Sequence, residues 1–205
     1  MVAVPENPWF ETDDPEDEFG FSAAELAFAA ALRERAGSWT VPPAYSWVGR
    51  PEDDSSLLAV VGLSDRDNRI SLADIGVHLI GSTVRGDRLH NQLHYLPDRP
   101  TDLAMEATGS SGELAEAAAT WFEAVLLRPV VRHEWEHNGQ IYAERYLFAD
   151  TGHALCQRYN RALAPQGQAE SLTASGQVAE RGWIHTGGLG RPTRTVNVRG
   201  RSTAW

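Results

Sequence analysis

Lysine is absent from the chain, and all 18 basic residues are arginine. Without lysine there is no Schiff-base or pyridoxal chemistry, and neither a P-loop nor a kinase phosphate-binding lysine. The same composition fits GC-rich coding and points to a bacterial, actinobacterial source. Cysteine is almost as scarce. The single Cys156 excludes an intramolecular disulfide and any zinc or iron–sulfur centre built on several thiolates. Beside Leu155 in an apparent strand, it suits a buried small hydrophobe better than a nucleophile. No apolar run approaches the roughly 18 residues of a membrane span. Met1-Val2-Ala3-Val4-Pro5-Glu6 lacks the basic and apolar regions of a signal peptide, so a cytoplasmic location without membrane association is expected.

Acid is what the chain has in excess. A net charge of −10 argues against general binding to nucleic acid, which needs clustered cations against phosphate. The charge is uneven. Residues 1–20 hold seven acids and no base, whereas residues 181–205 hold five arginines and no acid. At 205 residues, with 42% hydrophobic content and seven tryptophans, the chain has enough for a substantial core. The expected organisation is an acidic arm over 1–20, a single α+β domain over 21–180 and an arginine-rich segment over 181–205.

Periodicity predicts three helices and two sheet-forming regions. Ser22-Ala23-Ala24-Glu25 is a capping box that opens a helix, and Gly37 should close it. A second helix opens at Ser110, with Glu113 as its capping partner, and runs to about Arg128. Its apolar stripe is Leu114, Ala118, Trp121 and Val125, broadened by Phe122 and Leu126. A short helix is expected near Gln168–Ala174. Pro42-Pro43 breaks the chain before short strands near Ala44–Val48 and Leu57–Leu63. Ile70–Leu72 and Val77–Val84 read as extended, Arg85-Gly86-Asp87-Arg88 as a turn, and Leu89–Tyr95 as an alternating strand. Antiparallel strands punctuated by helices give a mainly antiparallel α+β fold, with hairpins, a β-meander and helices packed on the sheet.

One motif pulls in two directions. His133-Glu134-Trp135-Glu136-His137 spells H-E-x-x-H and resembles the zinc-hydrolase motif, yet Asn138-Gly139 follows immediately and is a strong hairpin signal. On a helix, residues four apart share a face and two imidazoles can reach one Zn²⁺. On a strand, with a rise of about 3.3 Å per residue, His133 and His137 stand roughly 13 Å apart. Pro129 ends the preceding helical pattern, and Val130, Val131, Ile141, Tyr142 and Tyr146 favour strands. The hairpin is therefore expected. A two-residue loop would place His137 opposite Gln140, Trp135 opposite Tyr142, His133 opposite Glu144 and Val131 opposite Tyr146. Thr151-Gly152 then turns the chain into a third strand near Ala154–Tyr159.

Three functional expectations follow. The first is a non-catalytic cytoplasmic protein that binds another protein, of immunity, adaptor or regulator type. Its acidic surface would suit a basic partner, and Trp9, Phe10, Phe19 and Phe21 of the arm would serve as aromatic anchors. Self-association into a homo-oligomer is compatible with this reading. The second is a zinc-dependent hydrolase, with His133 and His137 as ligands, Glu134 polarising water, and His153 or Glu144 completing the site. His78, His90 and His94 with His133 form a weaker metal-ligand set. The third is a small-molecule or phosphate binder at the loop His185-Thr186-Gly187-Gly188-Leu189-Gly190-Arg191-Pro192, using Trp183, His185, Arg191 and Arg194. That loop is not a P-loop, since it lacks lysine and a following helix.

Overall fold

The computed structural model describes residues 9–12, 20–41, 44–50, 56–67, 69–90, 94–178 and 182–200. Most of the acidic arm (Phe19 included), Pro42-Pro43, Arg181 and Arg201 lie outside the described residues. The chain forms two compact units, residues 1–127 and 128–205. Charge divides with them. The N-terminal unit carries eight arginines against 22 acids, a formal −14, and the C-terminal unit ten arginines against six acids, a formal +4.

The N-terminal unit is a five-stranded antiparallel meander with two helices. Strands β1 (Ser46–Gly49), β2 (Leu57–Ser64), β3 (Ser71–Ile80), β4 (Thr83–Arg88) and β5 (Met105–Thr108) lie in chain order across the sheet. In β2 the run Leu57–Leu63 is buried throughout, which explains its continuous apolar sequence. Leu58 and Val60 pack on Leu89 with Trp47 and Leu96 over them, while Leu57, Ala59, Val61 and Leu63 are buried as well.

Helix α1 (Ala23–Ala36) begins with the expected reciprocal cap, the Ser22 amide donating to Glu25 Oε2 at 2.7 Å and the Glu25 amide to Ser22 Oγ at 3.3 Å. Gly37 ends it at φ −59°, so glycine's left-handed freedom is not used there. Helix α2 (Ser111–Leu127) buries Leu114, Ala118, Phe122 and Val125. Trp121 sits at the edge of that stripe, where its indole N–H donates to the Leu103 carbonyl at 2.8 Å.

The hairpin between β3 and β4 departs from expectation. Ile80 pairs with Thr83 across Gly81-Ser82, with Gly81 at φ +59°, and Arg85-Gly86-Asp87-Arg88 lies inside β4 rather than in a turn. Gly86 is there for close approach. A Cβ on it would stand 2.7 Å from Val77 Cγ1 and 2.9 Å from Met105 Cγ. Asp87 is buried and receives the Thr101 amide at 2.7 Å, the Arg88 amide at 2.7 Å and the Thr101 hydroxyl. The alternating strand expected at Leu89–Tyr95 is not continuous. His90 and Tyr95 form an isolated bridge, and His94 has φ +57°. Among the described residues these histidines form no metal-holding group. The buried His78 ring takes Ser56 Oγ at Nδ1 (2.8 Å) and faces the His94 carbonyl with Nε2 (2.9 Å), while the His94 ring stands edge-on to Trp47. Because the carbonyl can only accept, Nε2 carries a proton, and in the neutral ring Nδ1 accepts from Ser56.

Trp9 and Phe10, expected to face a partner, close the chain's own core. They are 6% and 0% exposed. Phe10 packs at 5.3 Å against Phe122 with the rings tilted, Trp9 meets Trp39 edge-on at 4.8 Å, and Arg33 Nε donates to the Phe10 carbonyl at 2.9 Å. The Val48 amide then donates to Glu11 O at 3.0 Å, tying the segment to β1. Phe10→Ala should therefore cost about 3–5 kcal/mol, the range for truncating a buried phenylalanine. Urea unfolding followed by circular dichroism checks this, and a loss below about 1 kcal/mol would contradict the core role.

Candidate functional site

The C-terminal unit is a four-stranded antiparallel sheet in the order β8-β7-β6-β9. Its strands are β6 (Val130–His137), β7 (Gln140–Phe148), β8 (Ala154–Tyr159) and β9 (Arg194–Arg199), with helix α3 (Gln168–Ala174) between β8 and β9. Asn138 and Gly139 join β6 to β7 at φ +50° and +74°, the two positive angles of a type I′ turn.

The expected register holds only next to the turn. Gln140 faces His137 and Ile141 faces Glu136, but the pairing then shifts, so Trp135 faces Ala143, Glu134 faces Glu144 and His133 faces Arg145. Tyr142 is the extra residue. A bulge lets Tyr142 and Ala143 both join Trp135 in one buried cluster, where the Tyr142 hydroxyl accepts from Gln168 Nε2 at 3.1 Å. Two-for-one burial of a large ring therefore outweighs the Trp135–Tyr142 pair that simple alternation would give.

The slip has an electrostatic consequence. The Asn160 amide donates to Tyr142 O at 2.7 Å, and hydrogen-bonded pairs alternate along an antiparallel ladder. Glu144 is therefore hydrogen-bonded to β8, and its pair with Glu134 is the non-hydrogen-bonded kind, with Cα atoms about 4.5 Å apart. Two carboxylates meet at the closest cross-strand spacing, and both are buried. Three arginines hold them. Arg132 pairs with Glu134 and reaches Glu144 at 3.5 Å, Arg194 pairs with Glu134 through Nε at 2.7 Å, and Arg158 pairs with Glu144 at 2.7 Å. Arg194, Glu134, Glu144 and Arg158 thus form one charged row across all four strands.

This row also settles where the H-E-x-x-H residues go. All five lie on β6, so the shared helical face that a zinc-hydrolase motif needs does not exist. Glu134 is only 1% exposed and committed to two guanidinium groups. His133 faces Arg145, and His137 sits at the hairpin end, with its Nε2 3.1 Å from Asn138 Nδ2. Glu144 is taken by arginines, and the His153 ring lies by Phe148. Among the described residues no three His, Cys, Asp or Glu side chains are grouped to hold a metal.

The glycine-rich loop is docked on the sheet. Gln157 of β8 donates from Nε2 to Ile184 O at 2.8 Å, and its Oε1 accepts from the Thr186 amide and hydroxyl at 3.0 and 2.8 Å. Thr186 is fully buried and opens a 3-10 turn over Thr186–Leu189. A Cβ on Gly188 would fall 2.6 Å from Gln177 Cγ, so glycine permits close packing there. The indole N–H of Trp135 reaches the Gly190 carbonyl at 3.3 Å.

Fixed in this way, the segment presents Trp183 at 65% exposure. Trp183, Gly182 and Ile184 line a cleft of about 620 Å³ with Gln157, Arg158, Tyr159 and Arg161. The Tyr159 hydroxyl donates to Gln168 Oε1 at 3.3 Å, and burial, with Tyr142 and Glu170 nearby, pushes its pKa up. Arg161 pairs with Glu170, and both are well exposed. Of the residues expected at this loop, only Trp183 lines the cleft. His185 and Arg191 are exposed outside it, and Arg194 is held by Glu134. Arg158, Tyr159 and Arg161 were not anticipated. The run Gln157-Arg158-Tyr159-Asn160-Arg161 is visible in sequence, but its meeting with Trp183 depends on one glutamine amide reaching across the fold.

Comparison with protein-family models, curated proteins and solved structures gave no match.

Two measurements follow from the charged row. Glu134→Gln should destabilise the protein by about 1.5–3 kcal/mol, as for loss of a hydrogen-bonded charge, whereas Arg194→Gln at the exposed end should cost less than about 1 kcal/mol. Chemical denaturation of both variants checks the order, and equal losses would break the argument. Burial first, and then the Arg145 guanidinium, hold the His133 imidazole below its ordinary pKa. The unfolded chain thus takes up its proton at higher pH than the folded one. Stability contributed by neutral His133 is complete above about pH 6.5 and is lost as pH falls toward the lowered value. Thermal melts should show the parent chain losing more than His133→Gln below about pH 6.5, with no divergence above it.

Proposed function

We propose that the chain is a non-catalytic protein that acts through protein–protein interaction, with the Trp183 cleft of the C-terminal unit as its contact surface. The observation that carries this is an exposed tryptophan in a concavity shared with a tyrosine and two arginines. Tryptophan, tyrosine and arginine dominate binding hot spots, the two aromatics through large contact area at modest entropic cost and arginine through its planar, multidentate donor group. The charge of the C-terminal unit, +4 from ten arginines and six acids, favours an acidic partner surface at this cleft. An acidic partner replaces the expectation of a basic one, which rested on the charge of the whole chain. A cleft of about 620 Å³ also lies in the range of small-ligand sites, so free phosphate and nucleotides are the necessary comparators. Among the described residues, no group of His, Cys, Asp or Glu supports the zinc-hydrolase reading, and its five motif residues lie on one strand.

Site-specific photo-crosslinking in the native host tests the proposal. A benzophenone side chain at the exposed Ala162, beside Arg161, should give a discrete protein adduct, and the same group at the exposed Tyr45 should not. Trp183→Ala should lower the adduct yield at least about tenfold, as expected for a hot-spot aromatic. No adduct at Ala162, or one indifferent to Trp183→Ala, would remove the cleft as a protein-binding surface.

A further inference from the structure

We infer that the occupant of the cleft is an extended acidic segment of a partner protein that adds as a strand along the outer edge of β8 at Gln157 and Tyr159. This rests on the binding role proposed above and specifies its partner. The sheet order β8-β7-β6-β9 leaves β8 at an edge, and among the described residues no strand pairs with its outer side. The ladder fixes which backbone groups face outward. Asn160 bonds to Tyr142, so alternation turns the Arg158 amide and carbonyl toward β7 and those of Gln157 and Tyr159 toward the open edge.

The cleft lies on that same edge. It is lined by the consecutive residues Gln157, Arg158 and Tyr159, whose side chains point alternately to opposite faces. A cavity that touches both faces of one strand opens along its edge. Gln157 reaches Ile184 and Thr186, so Trp183 belongs to the Gln157 side, while Arg158 stands on the other side with Glu144. An added strand would thus meet an aromatic surface on one face and a guanidinium on the other. Residues directly opposite Gln157 and Tyr159 would share their face, so apolar side chains belong there and acidic ones at the alternate positions. Backbone pairing supplies the affinity in this mode and alternating pockets the selectivity.

Charge decides among occupants. Arg158 is 68% exposed and Arg161 70%. A second copy pairing edge to edge would bring these arginines against their own kind, which is a common way of blocking self-pairing. An acidic strand meets both guanidinium groups as opposite charges, with Glu170 beside Arg161 as the exposed acid it must pass.

The test uses the isotope-labelled full chain and a capped hexapeptide of alternating Glu and Val. Titration should slow hydrogen exchange at the Gln157 and Tyr159 amides and shift the Trp183 indole signal. N-methylation of the Val nitrogens, which face β8 in this pairing, should weaken binding at least about tenfold, whereas methylation of the Glu nitrogens should leave it within about twofold. A Gln–Val hexapeptide should bind about fivefold more weakly, for loss of the charge pairing. Equal binding of both methylated forms, with Gln157 and Tyr159 exchange unchanged, would overturn strand addition while leaving the cleft as a contact surface. Absence of any peptide effect would also overturn it, and the crosslink from Ala162 would then stand or fall separately. Slowed exchange produced by protein concentration alone would assign the edge to a second copy. The same Trp183 shift from inorganic phosphate alone would assign the cleft to a small anion. Either result overturns the inference.

Discussion

The pairing of Glu134 with Glu144 is the constraint around which the C-terminal unit is arranged. Two carboxylates at the closest cross-strand spacing and out of water repel one another, and cations beside them offset that repulsion. Arg132 serves both, and Arg194 and Arg158 each hold one from the flanking strands. A guanidinium suits this task because its planar fork can touch two oxygens at once, which the single ammonium of lysine does less well. A row of this kind is not an efficient source of stability, since desolvation consumes much of the Coulombic gain. Its effect lies in register. A slip by one residue between any two of these strands would move a carboxylate or its arginine to the opposite face and separate the pair.

The same row connects the interior to the edge. Arg158 is anchored at one end by buried Glu144 yet is largely exposed, so its guanidinium is held in place at the rim of the Trp183 cleft. Connectivity contributes as well. β8 and β9 lie at opposite edges, so the connection between them must cross the sheet. It does so over the Trp135 face, where Leu163, Ala164 and Leu189 cover Trp135, Tyr142 and Ala143. Trp183 lies on that crossing segment, and Gln157 pins it beside β8.

Local signals were readable in the sequence, and long-range ones were not. Ser22 and Glu25, Ser110 and Glu113, and Asn138-Gly139 act within a few residues, so their helices and turn could be placed directly. The fold class followed from those elements. The Gly81-Ser82 turn was missed because Arg85-Gly86-Asp87 looks like a turn, and only packing against Val77 and Met105 reveals Gly86 as a strand glycine. The bulge at Tyr142 was invisible for a related reason. Simple alternation gives an equally plausible ladder, and the choice is made by Trp135, Gln168 and the connection that covers them. Trp9 and Phe10 show the limit in its plainest form. Aromatic residues in an acidic arm read as exposed until Phe122 and Trp39 are seen to enclose them.

The candidate site was legible only in Trp183, and the reason bears on how such surfaces arise. An interior residue leaves a periodic trace because burial repeats with the helix or strand. A residue at a sheet edge leaves none, since its role is set by which strand ends up outermost. Arg158 and Arg161 read as ordinary solvated charges until β8 is known to be an edge, and the arginine-rich 191–199 stretch looks more suggestive on its own. In the fold Arg194 and Arg158 each pair with a buried glutamate, and Arg158 with Arg161 also lines the cleft of the exposed Trp183. An arginine on an edge strand can thus fix the register of the sheet through an interior carboxylate and at the same time set the charge of the surface beside an exposed aromatic.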